Sequence, residues 1–194
     1  TVADCAWSAY SSADWIHLTG GAGGLGPGTV TFRTDANPNS ATRTGTITIA
    51  GQVVTVTQQG VACTQQVGGT AAFIGATGGS GAGVTVTSSA PDCSWAANAN
   101  TEWLSLSTPN VQVGSGSVSW RADPNTSSQL RSGTITIAGT TFTVNQAGAT
   151  CAFVLTATGT PIFSGGGSGS VGVDAAAVDC AWSAASQADW VTLN

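Results

Sequence analysis

Lysine and methionine are missing from this 194-residue chain, histidine and tyrosine occur once each, and Glu102 is the single glutamate among nine acidic residues. Charged residues make up 7% of the total, against roughly a quarter in an ordinary soluble domain. Solubility therefore rests on Thr, Ser, Asn, Gln and exposed backbone. The four basic residues are Arg33, Arg43, Arg121 and Arg131, and the formal net charge is −5. Nucleic-acid binding needs a basic stripe that displaces counterions, so this balance excludes nucleic acid as a partner and argues against an anionic membrane surface. No apolar run approaches the 18 or so residues of a membrane span, and no membrane insertion is expected within these residues. No signal peptide is visible either, so an export signal is expected upstream.

The scarcity of histidine and glutamate bears on chemistry. His17 occurs in one part of the chain only, so no Ser-His-acid set can be built twice. Paired carboxylates for glycoside cleavage would need two acids facing one cleft, and none are indicated. Zinc needs clustered Cys or His ligands. Asp123 with Asn125 offers oxygen ligands but lacks the spaced acidic set of a strong calcium site. The stretch "GGAGGLGPG" at 20–28 has no following Lys and no helix, so it reads as a loop and not as a phosphate cradle. The chain is expected to be no enzyme and to need no cofactor and no metal. Asn125-Thr126-Ser127 matches a glycosylation acceptor.

What is abundant is repetition. "DCAWSAYSSADW" at 4–15 returns as "DCSWAANANTEW" at 92–103 and as "DCAWSAASQADW" at 179–190. A slide of 88 superposes Cys5 on Cys93, Trp7 on Trp95, Trp15 on Trp103, Arg33 on Arg121, Arg43 on Arg131 and Cys63 on Cys151 without a gap, and a slide of 87 carries Cys93 onto Cys180. A unit of about 88 residues exceeds the usual solenoid repeat of about 20 to 50, so these are domains in tandem. Residues 1–60 form the C-terminal part of one repeat, 61–148 a complete repeat, and 149–194 the N-terminal part of a third.

Within a repeat, "TITIAG" and "TFTV" alternate polar with apolar residues, putting Ile135 and Ile137 on one face and Thr134 and Thr136 on the other. "AG" followed by "TTFTV" reads as a hairpin, and "GAGVTVTSS" gives a strand through Val84 and Val86. Short strands, Gly, Ser and Asn turns and no amphipathic helical stretch predict an all-β chain of tandem antiparallel β-sandwiches, with about five to eight strands each.

The order Cys-x-Trp, Trp-[Ile/Leu]-x-Leu, a Gly-rich turn, an Asx-containing loop, Arg-x-Gly-Thr-Ile-Thr-Ile-Ala-Gly and a closing Val-x-Gln resembles the BACON family of bacterial immunoglobulin-like domains. The likeness covers essentially the whole chain, with residues 61–148 as the complete copy. "CTQQVGG" at 63 departs from the alternation of "CAFVLT" at 151, which puts the first strand of the middle repeat in doubt. The resemblance implies an extracellular, non-enzymatic sandwich, found in tandem or appended to secreted enzymes, with carbohydrate or mucin binding and a spacer role as competing functions.

Five regularly spaced cysteines point to an oxidising compartment. Two pairing phases fit. Either Cys63 joins Cys93 and Cys151 joins Cys180, leaving Cys5 unpaired here, or Cys5 joins Cys63 and Cys93 joins Cys151, leaving Cys180. The first is preferred, because Cys63 and Cys151 closely follow a closing strand and belong to the next repeat. Trp7, Trp95 and Trp182, each two residues after a cysteine, are expected as core aromatics packed on a disulfide. Trp103 and Trp120 are the candidate surface or junction aromatics, Trp120 because it replaces Phe32. Arg33 with Asp35 and Arg121 with Asp123 suggest ion pairs that hold the following Asn-containing loop.

Opening and closing inside the same phrase is expected of a stretch of a longer tandem polypeptide. The competing arrangement is strand donation from residues 149–194 of one copy to residues 1–60 of the next. Against it, residues 176–194 duplicate residues 1–19 and would contend for one place. The expected function is structural: rigidly joined repeats of an extracellular or cell-surface fibre or adhesin, whose partners are neighbouring repeats and other copies. A tandem carbohydrate- or mucin-binding array, with a glycan as partner, is the alternative.

Overall fold

Alternation of Thr with Ile and Val decides the architecture. In the strand Arg131–Ile137, Gly133, Ile135 and Ile137 are buried while Thr134 and Thr136 are half-exposed. The partner strand Thr140–Gln146 likewise buries Phe142, Val144 and Gln146. The two are joined by a two-residue turn in which Ala138 and Gly139 have φ of 47° and 78°. Positive φ at both central residues matches the right-handed twist of paired strands. The same turn, Ala50-Gly51, joins Arg43–Ile49 to Gln52–Gln58.

The computed structural model describes residues 5–157, 159 and 161–193 and is all-β, with no helix among them. Contacts divide the chain into two units, and the division runs through the middle repeat. The first unit comprises the residues up to Gln66 with Thr85–Trp95 and Val111–Gly116. It holds a sheet in the order Gly23–Leu25, Ala6–Ser11, Arg43–Ile49, Gln52–Gln58, and a separate antiparallel pair, Ile16–Gly20 with Thr31–Thr34. Ala9, Ile16 and Ile47 are buried there.

The second unit comprises Val67–Val84, Ala96–Asn110 and the residues from Ser117 on. Here Ala97 to Ala99 pair antiparallel with Arg131–Ile137, which pairs with Thr140–Gln146. Leu104–Leu106, Trp120–Ala122 and Gly79–Ser80 form a second sheet.

Two features differ from the expected antiparallel sandwich. Thr140–Gln146 pairs in parallel with Ala71–Ile74, from Thr143 opposite Ala71 to Gln146 opposite Ile74. A parallel neighbour requires a long connection, and most of the repeat supplies it. The complete repeat also holds eleven strand segments instead of five to eight, because several are two or three residues long. Gly114, at φ 71°, separates Val111–Val113 from Gly116–Val118, for example. The doubtful stretch after Cys63 does form strands, Gln65–Val67 and Ala71–Ile74.

Cys63 is bonded to Cys93 and Cys151 to Cys180, with S–S distances of 2.05 and 2.04 Å, so the alternative phase is not formed. Cys5 is a free, exposed thiol. Closing loops of 30 and 29 residues restricts the unfolded chain by about 3 to 4 kcal/mol each.

Candidate functional site

The tryptophans settle into three environments. Trp95 is buried and donates from Nε1 to the Gly114 carbonyl at 2.7 Å. Trp7 makes the same bond to Gly26 at 2.9 Å and is half-buried. The glycine-rich stretch at 20–28 thus serves Trp7: a Cβ at Gly28 would stand 2.2 Å from its Cζ2 and collide with the ring, and one at Gly24 would press on it at 3.1 Å. Trp182, expected in a core, is 58% exposed.

Trp120, expected at the surface, is 1% exposed. Its indole donates to the Ala82 carbonyl at 3.1 Å and its ring lies 6.4 Å from that of Phe142. The larger ring at this position fills core and is not displayed.

Trp103 is half-buried and belongs to its own repeat. The Arg131 guanidinium stacks over it at 4.3 Å, as Arg43 does over Trp15. Two residues along the strand, Gly133 faces the ring edge, and a Cβ there would stand 2.7 Å from Trp103 Cζ2. The motif Arg-x-Gly is therefore a clamp on an indole: period two puts both residues on one face, the glycine makes room and the cation covers the π-face.

Arg33 and Asp35 form an ion pair at 2.8 Å, and His17 Nε2 meets the same carboxylate at 2.7 Å. Those contacts, the one with His17 foremost, hold the Asp35 carboxyl below its ordinary range. The expected Arg121–Asp123 pair is not made: among the described residues the ion pairs are the two at Asp35, and Arg121 and Asp123 are exposed. The reason lies across the strand. His17 stands opposite Arg33, whereas Ser105 stands opposite Arg121 and has no imidazole to anchor the acid.

What holds the Asn-containing loop is a different set. Arg131 Nη2 donates to the carbonyls of Asp123 and Pro124 at 2.8 and 3.1 Å. Gln146, fully buried, accepts from Arg131 Nε at 2.8 Å and donates to the carbonyls of Asp123, Ala76 and Gly75. Arg43 and Gln58 repeat the pattern around Asp35 and Ala36. Buried Asn125 donates to the Gln129 and Ala147 carbonyls and accepts from Ser127 N–H. Asn37 does likewise with Ala41, Gln59 and Asn39. Since Asn125 spends its amide on the loop, the glycosylation match at 125–127 presents no free acceptor.

The loop so fixed offers a receptor for a carboxylate. Ser40 N–H donates to both oxygens of Asp92, at 2.8 and 3.0 Å, and Ser40 Oγ adds a third bond at 2.9 Å. In the next repeat Ser128 N–H donates to Asp179 at 2.6 Å and Ser127 Oγ at 2.7 Å. These bonds, the backbone N–H first, hold both carboxyls below their ordinary range. The linker closes against the same loop: Val61 N–H donates to the Asn39 carbonyl and Ala149 N–H to the Ser127 carbonyl. Gly60 and Gly148 lie so close to the Ser40 and Ser128 carbonyls that no side chain would fit. Composition and periodicity do not reveal this junction; its signal is that Asp92 and Asp179, Ser40 and Ser128, and Gly60 and Gly148 recur in register.

No curated relative matches the chain. A family model described as "BACON: Putative binding domain, N-terminal" matches residues 6–59 and 93–147, together more than half of the chain. Both matches take in the Cys-x-Trp tryptophan, the Arg-x-Gly clamp and the closing Gln, so the chain belongs to the BACON family, as tandem copies of its domain.

Proposed function

We propose that the chain is a non-catalytic structural stretch of a long extracellular bacterial polypeptide, a surface fibre or adhesin whose consecutive repeats are stiffly joined. The observation that carries this reading is the recurrence of the carboxylate junction: two linkers of different sequence, "QQGVAC" and "QAGATC", dock on the Asn loop with the same aspartate and glycine positions and the same backbone N–H, that of Ser40 or Ser128. Short, hydrogen-bonded connections leave little freedom for reorientation. Two disulfides suit an oxidising, extracytoplasmic setting.

The second reading, a carbohydrate- or mucin-binding array, draws on the family's description as a binding domain and on the solvent-facing ring of Tyr10. Multivalent recognition needs the same surface in each repeat. Asn98 replaces Tyr10 in the middle repeat, which favours the structural reading.

The test labels Thr44 and Ser132, both exposed and 88 residues apart, and measures their distance distribution by pulsed electron resonance in the 194-residue chain. A narrow distribution that broadens in Asp92→Ala is the expected result. A parent distribution as broad as a flexible linker gives would sink the proposal, and specific retention of the chain on a glycan array would favour the second reading.

A further inference from the structure

In the complete repeat Ala71–Ile74 comes early in the sequence and Thr140–Gln146 comes last, yet the two lie side by side and run in the same direction. The ladder between them is bonded past both of its ends. Thr143 N–H donates to the Thr70 carbonyl at 2.8 Å, and Ala147 N–H to the Ile74 carbonyl at 3.0 Å. The buried Gln146 amide adds contacts to the Gly75 and Ala76 carbonyls, at 3.3 and 3.2 Å, immediately after the earlier strand. On its other side Thr140–Gln146 pairs antiparallel with Arg131–Ile137. Ser94–Ala99 pairs antiparallel with that strand in turn, so it too runs in the direction of Thr140–Gln146.

We infer that the complete repeat is a load-bearing module, built to resist a pull along the chain. In a tandem polypeptide under tension, force enters a repeat ahead of its first strand and leaves after its last. Ala71–Ile74 is thus pulled at its start and Thr140–Gln146 at its end. Because the strands are parallel, these pulls slide one strand along the other. The four paired positions, from Thr143 opposite Ala71 to Gln146 opposite Ile74, are loaded together. An antiparallel hairpin pulled at its open end behaves differently: Arg131–Ile137 with Thr140–Gln146 would open at Arg131 and Gln146 and lose one pair at a time. Hydrogen bonds of modest individual strength resist most when none can break before the others.

The disulfide divides the load. Cys63 precedes Ala71–Ile74 and is bonded to Cys93, which directly precedes Ser94–Ala99. Tension arriving at Cys63 therefore passes through covalent bonds to two strands, one on each side of the closing hairpin. It also cannot draw out the span of 30 residues between the two cysteines, whose ends are fixed to each other. The inference rests on the structural reading, which supplies the tension. Its failure is separable, because pulling on one repeat measures resistance inside it, whereas the label distance measures stiffness between repeats.

The test is single-molecule pulling on the 194-residue chain, with DNA handles joined to azide-bearing residues at two chosen positions. Handles at Thr70 and Thr150 pull the paired strands from opposite ends, and handles at Thr70 and Thr141 pull them apart from the same end. All three side chains are exposed, so folding should be unaffected, and urea unfolding of each labelled chain checks this. At one loading rate the first arrangement should rupture at about two- to fourfold the force of the second, since four ladder positions share the load in one and a single position carries it in the other. Equal rupture forces, or a lower force in the first arrangement, would overturn the inference.

Discussion

Replacing Gln146 by Leu tests the argument about what holds the Asn-containing loop. The side chain is fully buried, and its amide group makes one accepted bond, from Arg131 Nε, and three donated contacts, to Asp123, Ala76 and Gly75. Two amide hydrogens cannot serve three acceptors at full strength, so about three effective bonds are lost at roughly 1 kcal/mol each. The orphaned groups limit the additional cost. The Asp123 carbonyl keeps Arg131 Nη2, Ala76 keeps the Asn125 N–H and Gly75 keeps the Gly78 N–H. Leucine is close in volume, so little cavity is added. The expected loss is about 2 to 4 kcal/mol, a fall of roughly 10 to 25 °C in the unfolding of the middle repeat. Gln58→Leu is the internal control: Gln58 is half-exposed and bonds Arg43 and one carbonyl, water can take over, and the loss should stay below about 1 kcal/mol. Urea unfolding followed by tryptophan emission measures both. A Gln146→Leu chain within about 0.5 kcal/mol of the parent would refute the assignment of this residue as the buried post of the loop.

Trp95→Ala should cost about 3 to 5 kcal/mol, as for a large aromatic deleted from a core, whereas Trp182→Ala, in solvent, should lie within about 0.5 kcal/mol of the parent; equal effects in urea unfolding would show the exposure of Trp182 to be misread. The junction carboxyls give a pH prediction. Asp92 and Asp179 are held below the usual value of 3.8 by the Ser40 and Ser128 N–H groups, so their contribution is complete above that value and is lost as pH falls through the lower folded values. Junction stiffness should be constant from about pH 5 to about pH 8, and carboxyl NMR titration should place both aspartates below a free side chain. Titration of either at or above the free value would contradict the hydrogen bonds described.

Much of the fold was legible because it is local. Period two in "TITIAG" placed Ile135 and Ile137 inside, and the Ala-Gly turn followed from a two-residue connection between alternating runs. The resemblance to the family rested on side chains that turn out to hold the fold: the Cys-x-Trp indole, the Arg-x-Gly clamp and the closing Gln. What escaped depends on groups far apart in sequence. An Arg at offset two from an Asp looks like a pair on one strand face, but the pair formed only where a cross-strand histidine was also present, at His17. Trp120 looked like a surface aromatic because its counterpart is Phe32, yet its burial is set by groups distant in sequence, the Ala82 carbonyl that takes its indole N–H and the ring of Phe142. Asp92 reaches Ser40 across 52 residues, and no rule of local spacing connects them.

The adjacency of Asp to Cys in "DC" has a mechanical reason that unites these details. From the end of Gln52–Gln58 the chain passes Gly60, which presses on the Ser40 loop, and reaches Cys63 within a few residues. Cys63 is bonded to Cys93, whose predecessor Asp92 returns to Ser40. Linker, disulfide, aspartate and loop therefore close a ring whose covalent part is the disulfide and whose other closure is the carboxylate. A carboxylate tethered by a neighbouring disulfide loses little further freedom when it docks, so its hydrogen bonds cost less in conformational entropy than those of a free surface aspartate would. The two rings differ by one residue in the span between cysteines, 30 against 29, yet both end with an aspartate on a serine of the same loop. The tether thus tolerates change in the strands between the cysteines and constrains the residue beside the second one. Separating Asp from Cys by an inserted residue should accordingly abolish docking even with every side chain of the receptor in place.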